Sequence, residues 1–287
     1  MESNNKHYLR FLESELGKMP PEDCIFHIIS AGYERSVTYG TGTKHGPEAI
    51  IKASQLLELF DGETIPADKG IYTHPPLIFG QSSEENLTLI ENKVYSVLSK
   101  KCIPILLGGE HTVSVGAFKA LARLDEAIGI VQFDAHADLR DSLDNNPFSH
   151  ACVMKRAIDL SLSIAQFGVR SLSYEEHLFR EKNSIFHMDA KVISEKGIPK
   201  TIFPDSFPEK IYITFDVDGL DPSVIPSTGT PDPGGILWYQ ALSLLKKMAY
   251  ERTIVGFDVV ELAPVEGLHS SDFTAARLVY AMMGLFE

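Results

Sequence analysis

Cysteine, tryptophan, positive charge and long apolar runs are all scarce in this chain, and each shortage removes a class of protein. The three cysteines of the 287 residues, Cys24, Cys102 and Cys152, are scattered and contain no CxxC pair. A sparse, odd set fits the reduced thiols of a cytoplasmic protein better than a disulfide framework. Nothing approaches the ~18 consecutive apolar residues of a membrane span, and the opening stretch MESNNKHYLRFLESELGK lacks the apolar core of a secretory leader. Lys and Arg number 26 against 39 Asp and Glu, for a net charge of −13 and a pI near 5.2. That balance argues against a phosphate-backbone partner and is compatible with a cationic small molecule. Trp238 is the only tryptophan and is expected to pack rather than bind. Internal repeats, low-complexity tracts and linkers are absent. The Pro/Gly-rich stretch PSTGTPDPGG at 226–235 is too short for a domain boundary and reads as a structured loop, so residues 1–287 read as one domain.

What is present is a regular alternation of strand-like and helix-like segments. Apolar, β-branched runs occur at 24–30, 77–80, 102–109, 128–136, 164–170, 184–189, 210–219 and 253–262, about eight strands. The runs are nearly continuous rather than alternating, the pattern of parallel strands covered on both faces. Helical spacing appears between them in HGPEAIIKASQLLELF, SSEENLTLIENKVYSVLSK, SVGAFKALARL, ACVMKRAIDL, YQALSLLKKMAYE and SSDFTAARLVYAMMGLF. Ser82 and Glu85 stand at capping-box spacing before the second of these. The alternation predicts an α/β fold, a single-domain three-layer α/β/α sandwich around a mainly parallel sheet.

The polar clusters fall where such a sheet binds ligands, beyond the carboxyl ends of its strands. LLGGEH leaves the third run with Glu110 and His111, and VQFDAHAD leaves the fourth with Asp134, His136 and Asp138. ITFDVDGLD leaves the seventh with Asp216, Asp218 and Asp221, and GFDVVE leaves the eighth with Asp258 and Glu261. Side chains alternate along a strand, so Asp134, His136 and Asp138 are expected to share one side, as are Asp216 and Asp218. Two converging combs of carboxylates repel unless cations lie between them. Two divalent ions balance the four charges of Asp134, Asp138, Asp216 and Asp218, and His111 and His136 complete the shells as neutral ligands. Oxygen-rich donors with some imidazole and no thiolate suit Mn²⁺, with Ni²⁺, Co²⁺ or Fe²⁺ as alternatives, rather than a closed zinc site. Paired metals roughly 3.5–4 Å apart make hydroxide available near neutral pH.

Other polar residues read as structural. His7, His27, His45, His74, His177, His187 and His269 show no partner pattern and are expected at the surface or in the core. Gly108 and Gly109 suit a tight turn that positions His111. Asp258 falls on the other side of the strand from Glu261 by simple alternation and is assigned no role in the site.

These segments resemble the ureohydrolase family, the arginases, agmatinases and guanidinobutyrases. The resemblance is carried by GGEHTVSVG (108–116), FDAHADLRD (133–141), SHACVMKR (149–156), ITFDVDGLDPSVIPSTGTPDPGG (213–235) and GFDVVELAP (256–264). GTGTKHGPEAI (40–50) resembles an agmatinase segment, and the likeness runs from about residue 25 to the C-terminus. It implies a binuclear manganese site held by His111, Asp134, His136, Asp138, Asp216 and Asp218, the set reached above from alternation and charge. It also implies roles that spacing does not reveal: Glu261 holds the substrate guanidinium, His150 stands near the leaving amine, and Thr230 lines the substrate site. Asp138 accepts a hydrogen bond from the attacking hydroxide. A guanidinium needs a carboxylate fork and a strong nucleophile, and a histidine can pass a proton to the departing amine. The family likeness further implies a trimer or hexamer.

The agmatinase-like branch fits best. Arginases typically carry Asn where this chain has Arg140, and the loop LRDSLDNNPFSH before His150 lacks the arginase pattern. Ala151 replaces the glycine that many members carry after His150. Agmatine, giving putrescine and urea, is the expected substrate, with Arg140 paired to an acidic neighbour such as Asp141 or Asp144. An Arg140 that points into the pocket favours guanidinobutyrate instead; N1-aminopropylagmatine and, less readily, arginine are further alternatives. A metal-binding scaffold without activity, or a single-zinc deacylase of the histone-deacetylase type, is opposed by the complete ligand set and the DVDGLDP carboxylates.

Overall fold

In the computed structural model, which describes residues 8–286, eight strands form one sheet. They are β1 (Phe26–Ala31), β2 (Ile71–Thr73), β3 (Ile103–Gly108), β4 (Ile128–Phe133), β5 (Ser163–Phe167), β6 (Phe186–Met188), β7 (Lys210–Asp216) and β8 (Thr253–Val260). Their order is β2-β1-β3-β8-β7-β4-β5-β6, and every pairing is parallel. His7 lies outside the described residues.

The strands are apolar along their length because consecutive residues feed two different cores. Ile28, Ile105, Val131 and Phe257 pack on one face, and their neighbours Ile29, Leu106 and Ile130 pack on the other. The first core is covered by α2 (Gly46–Ser54), α7 (Ala190–Lys196), α8 (Trp238–Glu251) and α9 (His269–Met283). The second is covered by α3 (Ser83–Leu98), α4 (Val113–Ala122) and α5 (Val153–Asp159), with α6 (Tyr174–Lys182) beside β5. A four-residue helix, α1 (Glu13–Leu16), precedes them. Each fully buried Leu, Ile or Phe contributes roughly 1.5–3 kcal/mol of transfer free energy. The three-layer sandwich expected from the sequence is the fold observed.

Three local expectations need correction. The run 77–80 is not a strand; the edge strand is Ile71–Thr73. Pro75 and Pro76 follow it and cannot donate to a ladder, so only Leu77 returns to the sheet, through its N–H to the Ser30 carbonyl at 3.0 Å, and Ile78 is exposed. The helix read across residues 45–60 stops at Ser54, where the Ser54 hydroxyl donates to the Ile51 carbonyl and accepts the Leu12 N–H. Helices α6 and α7 were hidden by their polarity. Helix α6 nevertheless carries a capping box, with Ser173 and Glu176 exchanging side-chain and backbone hydrogen bonds. Trp238 opens α8 and packs partly buried on the first core, as expected.

The sheet order positions the site. Strands β8 and β7 are inserted between β3 and β4, so the four central strands place their carboxyl ends together at a change in winding direction. Crevices for ligands form at such switch points.

Candidate metal centre

Strand β4 ends at Phe133 beside Phe215 of β7, and both chains turn immediately. The Asp134 carboxylate accepts the His136 N–H at 2.6 Å, and the Asp216 carboxylate accepts the Asp218 N–H at 2.8 Å. Each aspartate thus closes a tight turn on the residue two further on. Simple strand alternation is therefore not what gathers these side chains: Asp216 is the last residue of β7, Asp134, His136, Asp138 and Asp218 lie past the strand ends, and Asp138 has the left-handed backbone φ of 51°. The two turns interlock, since Ala135 N–H donates to Asp218 Oδ1 at 2.9 Å. Gly219 is required here because a Cβ would sit 2.7 Å from the Asp134 nitrogen.

From β3, Gly109 passes so close to the Tyr33 carbonyl that a side chain has no room. His111 then enters the same space. Its N–H donates to Glu261 Oε1 at 2.6 Å, while Glu261 N–H donates to the Gly109 carbonyl at 2.8 Å. Glu261 holds a left-handed φ of 65°, a conformation that costs a non-glycine residue of order 1–3 kcal/mol and concentrates at functional sites.

The imidazoles and carboxylates form two adjoining groups. His111 Nδ1 lies 3.1 Å from Asp134 Oδ2, 3.0 Å from Asp138 Oδ2 and 3.6 Å from Asp216 Oδ2. His136 Nδ1 lies 3.4 Å from Asp134 Oδ1 and 3.1 Å from Asp218 Oδ2. Ligand atoms of His111, Asp134 and Asp216 lie within 4.8 Å of one another, as do those of Asp134, His136 and Asp218. Asp134 belongs to both and directs a different oxygen to each.

Asp134, Asp138, Asp216, Asp218 and Glu261 are all buried, which sets up strong electrostatic conflict. Burial and the neighbouring Asp218, Asp134 and Glu261 carboxylates push Asp216 well above its ordinary range. Burial and the Asp134 charge raise Asp138 to about 7, and burial raises Glu261 as well. Although burial opposes it, the carboxylates pull His111 well above its usual value and His136 to about 12. The site therefore draws positive charge. His111 Nδ1 is buried, points at three carboxylate oxygens and makes no well-aligned hydrogen bond. An oxygen-rich donor set with an orphaned imidazole nitrogen fits two divalent cations.

The rim is built on loops. His150 Nδ1 lies 3.2 Å from the Ser36 hydroxyl and its Nε2 lies 3.1 Å from the Thr38 hydroxyl. Ser36 in turn donates to Glu110, which also accepts the N–H groups of Arg35 and Ser36 at 2.6 Å each. Burial lowers the His150 pKa, against the opposing Glu110 charge. Thr230 lines the space above the two groups, beside His150 and Glu261. Gly40 N–H, donating to the Gly229 carbonyl at 3.1 Å, joins the two rim loops. Asp221 ties the Pro/Gly-rich loop by accepting the N–H groups of Ser223, Gly234 and Gly235, so that loop is structured as expected.

Arg140 does not pair with Asp141 or Asp144. Successive side chains diverge, and Asp141 turns to Arg156 at 2.9 Å. Arg140 Nε instead lies 3.9 Å from Glu176 Oε2. It lines an outer cavity of about 440 Å³ that His136, Asp138, His150 and Thr230 share. Ser36, Thr38, Gln132 and Thr214 were not identified from the sequence. The available signal was a polar residue inside an apolar run, two positions before Asp134 and Asp216. His27 and His74, read as unpartnered, lie 3.0 Å apart beneath the edge strand, with His27 buried as a core residue.

A parallel α/β sheet whose central strands deliver two adjoining carboxylate–imidazole groups defines the class: a protein with two groups able to hold metal ions. The arginase family profile matches residues 25–284. The chain is 33% identical to the N(1)-aminopropylagmatine ureohydrolase of Synechocystis sp., over 96% of this chain and 93% of that one. It is 33% identical to the agmatinase of Bacillus subtilis, over 96% of this chain and 98% of that one. The crystal structure of the agmatine ureohydrolase of Thermoplasma volcanium superposes with a TM-score of 0.87 at 29% identity, covering 98% of this chain and 95% of that one. The chain belongs to the arginase family.

Proposed function

We propose that this chain is a ureohydrolase that cleaves an aliphatic guanidine to urea and a primary amine, with agmatine as substrate and putrescine as product. The observation that carries this reading is the buried Glu261 carboxylate, set in one space with both metal-ligand groups. His111, Asp138, Asp134 and Asp216 would hold one divalent ion, and Asp134, His136 and Asp218 the other. The donor set favours Mn²⁺ at two per chain.

When bound, such a pair of ions would lower the pKa of a nearby water and so supply a nucleophile near neutral pH. Glu261 pairs with the planar guanidinium and fixes the orientation of its carbon. Asp138 accepts a hydrogen bond from the attacking oxygen. Water adds to the guanidinium carbon, the bond from that carbon to the substituted nitrogen breaks, and His150 delivers a proton to that nitrogen. Ser36 and Thr38 hold the two nitrogens of His150, and Thr230 closes the wall opposite.

The tail extends into the outer cavity, past Arg140 and the Glu176 carboxylate. An N1-aminopropylagmatine substrate is the second reading, favoured by the 33% identity to the Synechocystis enzyme of that name and by the room beyond Arg140. Assembly as a trimer or hexamer in the cytoplasm completes the proposal. Urea release by manganese-loaded protein from arginine, agmatine, guanidinobutyrate and N1-aminopropylagmatine, compared by kcat/KM, tests it. One of the two cationic-tailed guanidines is expected to lead. Arginine or guanidinobutyrate in first place overturns the substrate assignment, and no urea from any of them overturns the reaction.

A further inference from the structure

Beneath the metal centre the apolar sheet is interrupted by one polar side chain on each of four adjacent strands. Gln166 of β5 pairs in register with Gln132 of β4, Gln132 with Thr214 of β7, and Thr214 with Asp258 of β8. All four are fully buried. A buried polar group left without a partner costs about 1–3 kcal/mol, so a row of four needs partners, and two of its members find theirs among the residues assigned to the metals. Gln132 Nε2 donates to Asp134 Oδ2 at 2.7 Å. Thr214 Oγ1 lies 2.8 Å from His111 Nε2 and 2.7 Å from Asp258 Oδ1, with Ser114 Oγ further off at 3.3 Å.

The direction of these bonds follows from their chemistry. Asp258 offers an acceptor oxygen, so the single proton of the Thr214 hydroxyl goes to it. The Thr214 oxygen is then left to accept, and His111 must carry its proton on Nε2. That leaves the lone pair on Nδ1, the nitrogen aimed at Asp134, Asp138 and Asp216. We propose that Thr214 and Asp258 are positioning residues that fix the tautomer and ring orientation of His111, and thereby the affinity of the inner of the two metal positions. The inference rests on the reading that His111 ligates a metal. It gives Asp258 a place in the site that strand alternation had denied it.

Outer partners that orient a ligating histidine typically matter 10- to 100-fold in metal affinity. The test titrates the metal-free, full-length protein with Mn²⁺ alone and follows free Mn²⁺ by electron paramagnetic resonance. Thr214→Val keeps the shape of the side chain but removes the hydroxyl. It is expected to weaken one of two binding events by about 10- to 100-fold and leave the other unchanged. Thr214→Ser, which retains the hydroxyl, is expected to restore both, and Asp258→Asn to weaken the same event as Thr214→Val. Wild-type binding by Thr214→Val overturns the proposal, as does equal weakening of both events. If Thr214→Val lowers the thermal midpoint of the metal-free protein, the contrast between Thr214→Ser and Asp258→Asn decides in its place, and equal affinities in those two overturn it. His111→Ala separates this inference from the reading beneath it: if His111→Ala still binds two ions at wild-type affinity, the ligand assignment itself fails.

Discussion

The His111 and His136 halves of the metal centre use the same residue types but are supported differently. The His111 side chain is 1% exposed, is backed by Thr214 and Asp258, and is tied at its backbone to Glu261. The His136 side chain is 30% exposed and opens to the outer cavity that the loops enclose. One half is fixed by strands and hydrogen bonds beneath the sheet surface; the other faces the outer cavity. A ligand locked by packing presents a constant geometry, whereas one at the mouth tolerates adjustment as the tail is seated. The inner position is therefore expected to be the tighter of the two, and the outer one to exchange first with chelator.

The largest way to break this comparison is Asp218→Ala. Asp218 lies 3.1 Å from His136 and accepts the Ala135 N–H that interlocks the two turns. Its loss is expected to abolish binding at the outer position and turnover with it, measured as metal content by mass spectrometry and urea release. Retention of both ions would contradict the assignment. Glu261→Gln should separate binding from chemistry: both ions stay, and kcat/KM falls by about 10²- to 10³-fold as a fixed charge facing the guanidinium is removed. Normal turnover in that variant would mean that the guanidinium is held elsewhere.

A third effect is graded and concerns pH. Asp138 is raised to about 7 by burial and the Asp134 charge, and His136 to about 12 by the surrounding carboxylates. Groups with raised pKa values hold protons that a cation must displace, so metal affinity falls as pH drops through about 7, and binding releases protons across the neutral range. Calorimetry at pH 6 and pH 8, in buffers of different ionisation enthalpy, reads both; affinity independent of pH would exclude proton displacement. The smallest effect is expected at Arg140→Ala. Arg140 is 44% exposed and its partner oxygen is 3.9 Å away, so the pair itself contributes little. The substitution should shift preference among guanidines by less than about tenfold and leave arginine disfavoured.

The inner and outer halves were also unequally legible in the sequence. Seven of the eight parallel strands and the grouping of the six metal-ligating candidates were legible because strand-end motifs place chemistry at fixed points of a sheet. Strand alternation alone does not describe their convergence: DAHAD follows the end of β4 and DVD turns at the last residue of β7, each through an aspartate-closed turn. Asp258 was set aside by the same alternation argument, yet it reaches His111 through Thr214 on the neighbouring strand, a relation fixed by register between distant segments. Arg140 went to Glu176 rather than Asp141 because α6, too polar to be read as a helix, places its capping glutamate there. The second strand lies six residues before the expected 77–80: that run is more apolar than 71–73, but Pro75 and Pro76 keep it from forming a strand. Ser36 and Thr38, which contact His150 directly, lie on a loop with no periodic signal, as does the Ser36 tie to Glu110.

The most direct measurement of the central claim is a titration of metal-free protein with Mn²⁺ in the presence of agmatine, with urea and putrescine counted against metal added. The account predicts that activity saturates at two ions per chain, one for each ligand group, and that urea and putrescine appear in equal amounts. Saturation at a single ion, or amine released without urea, would contradict it.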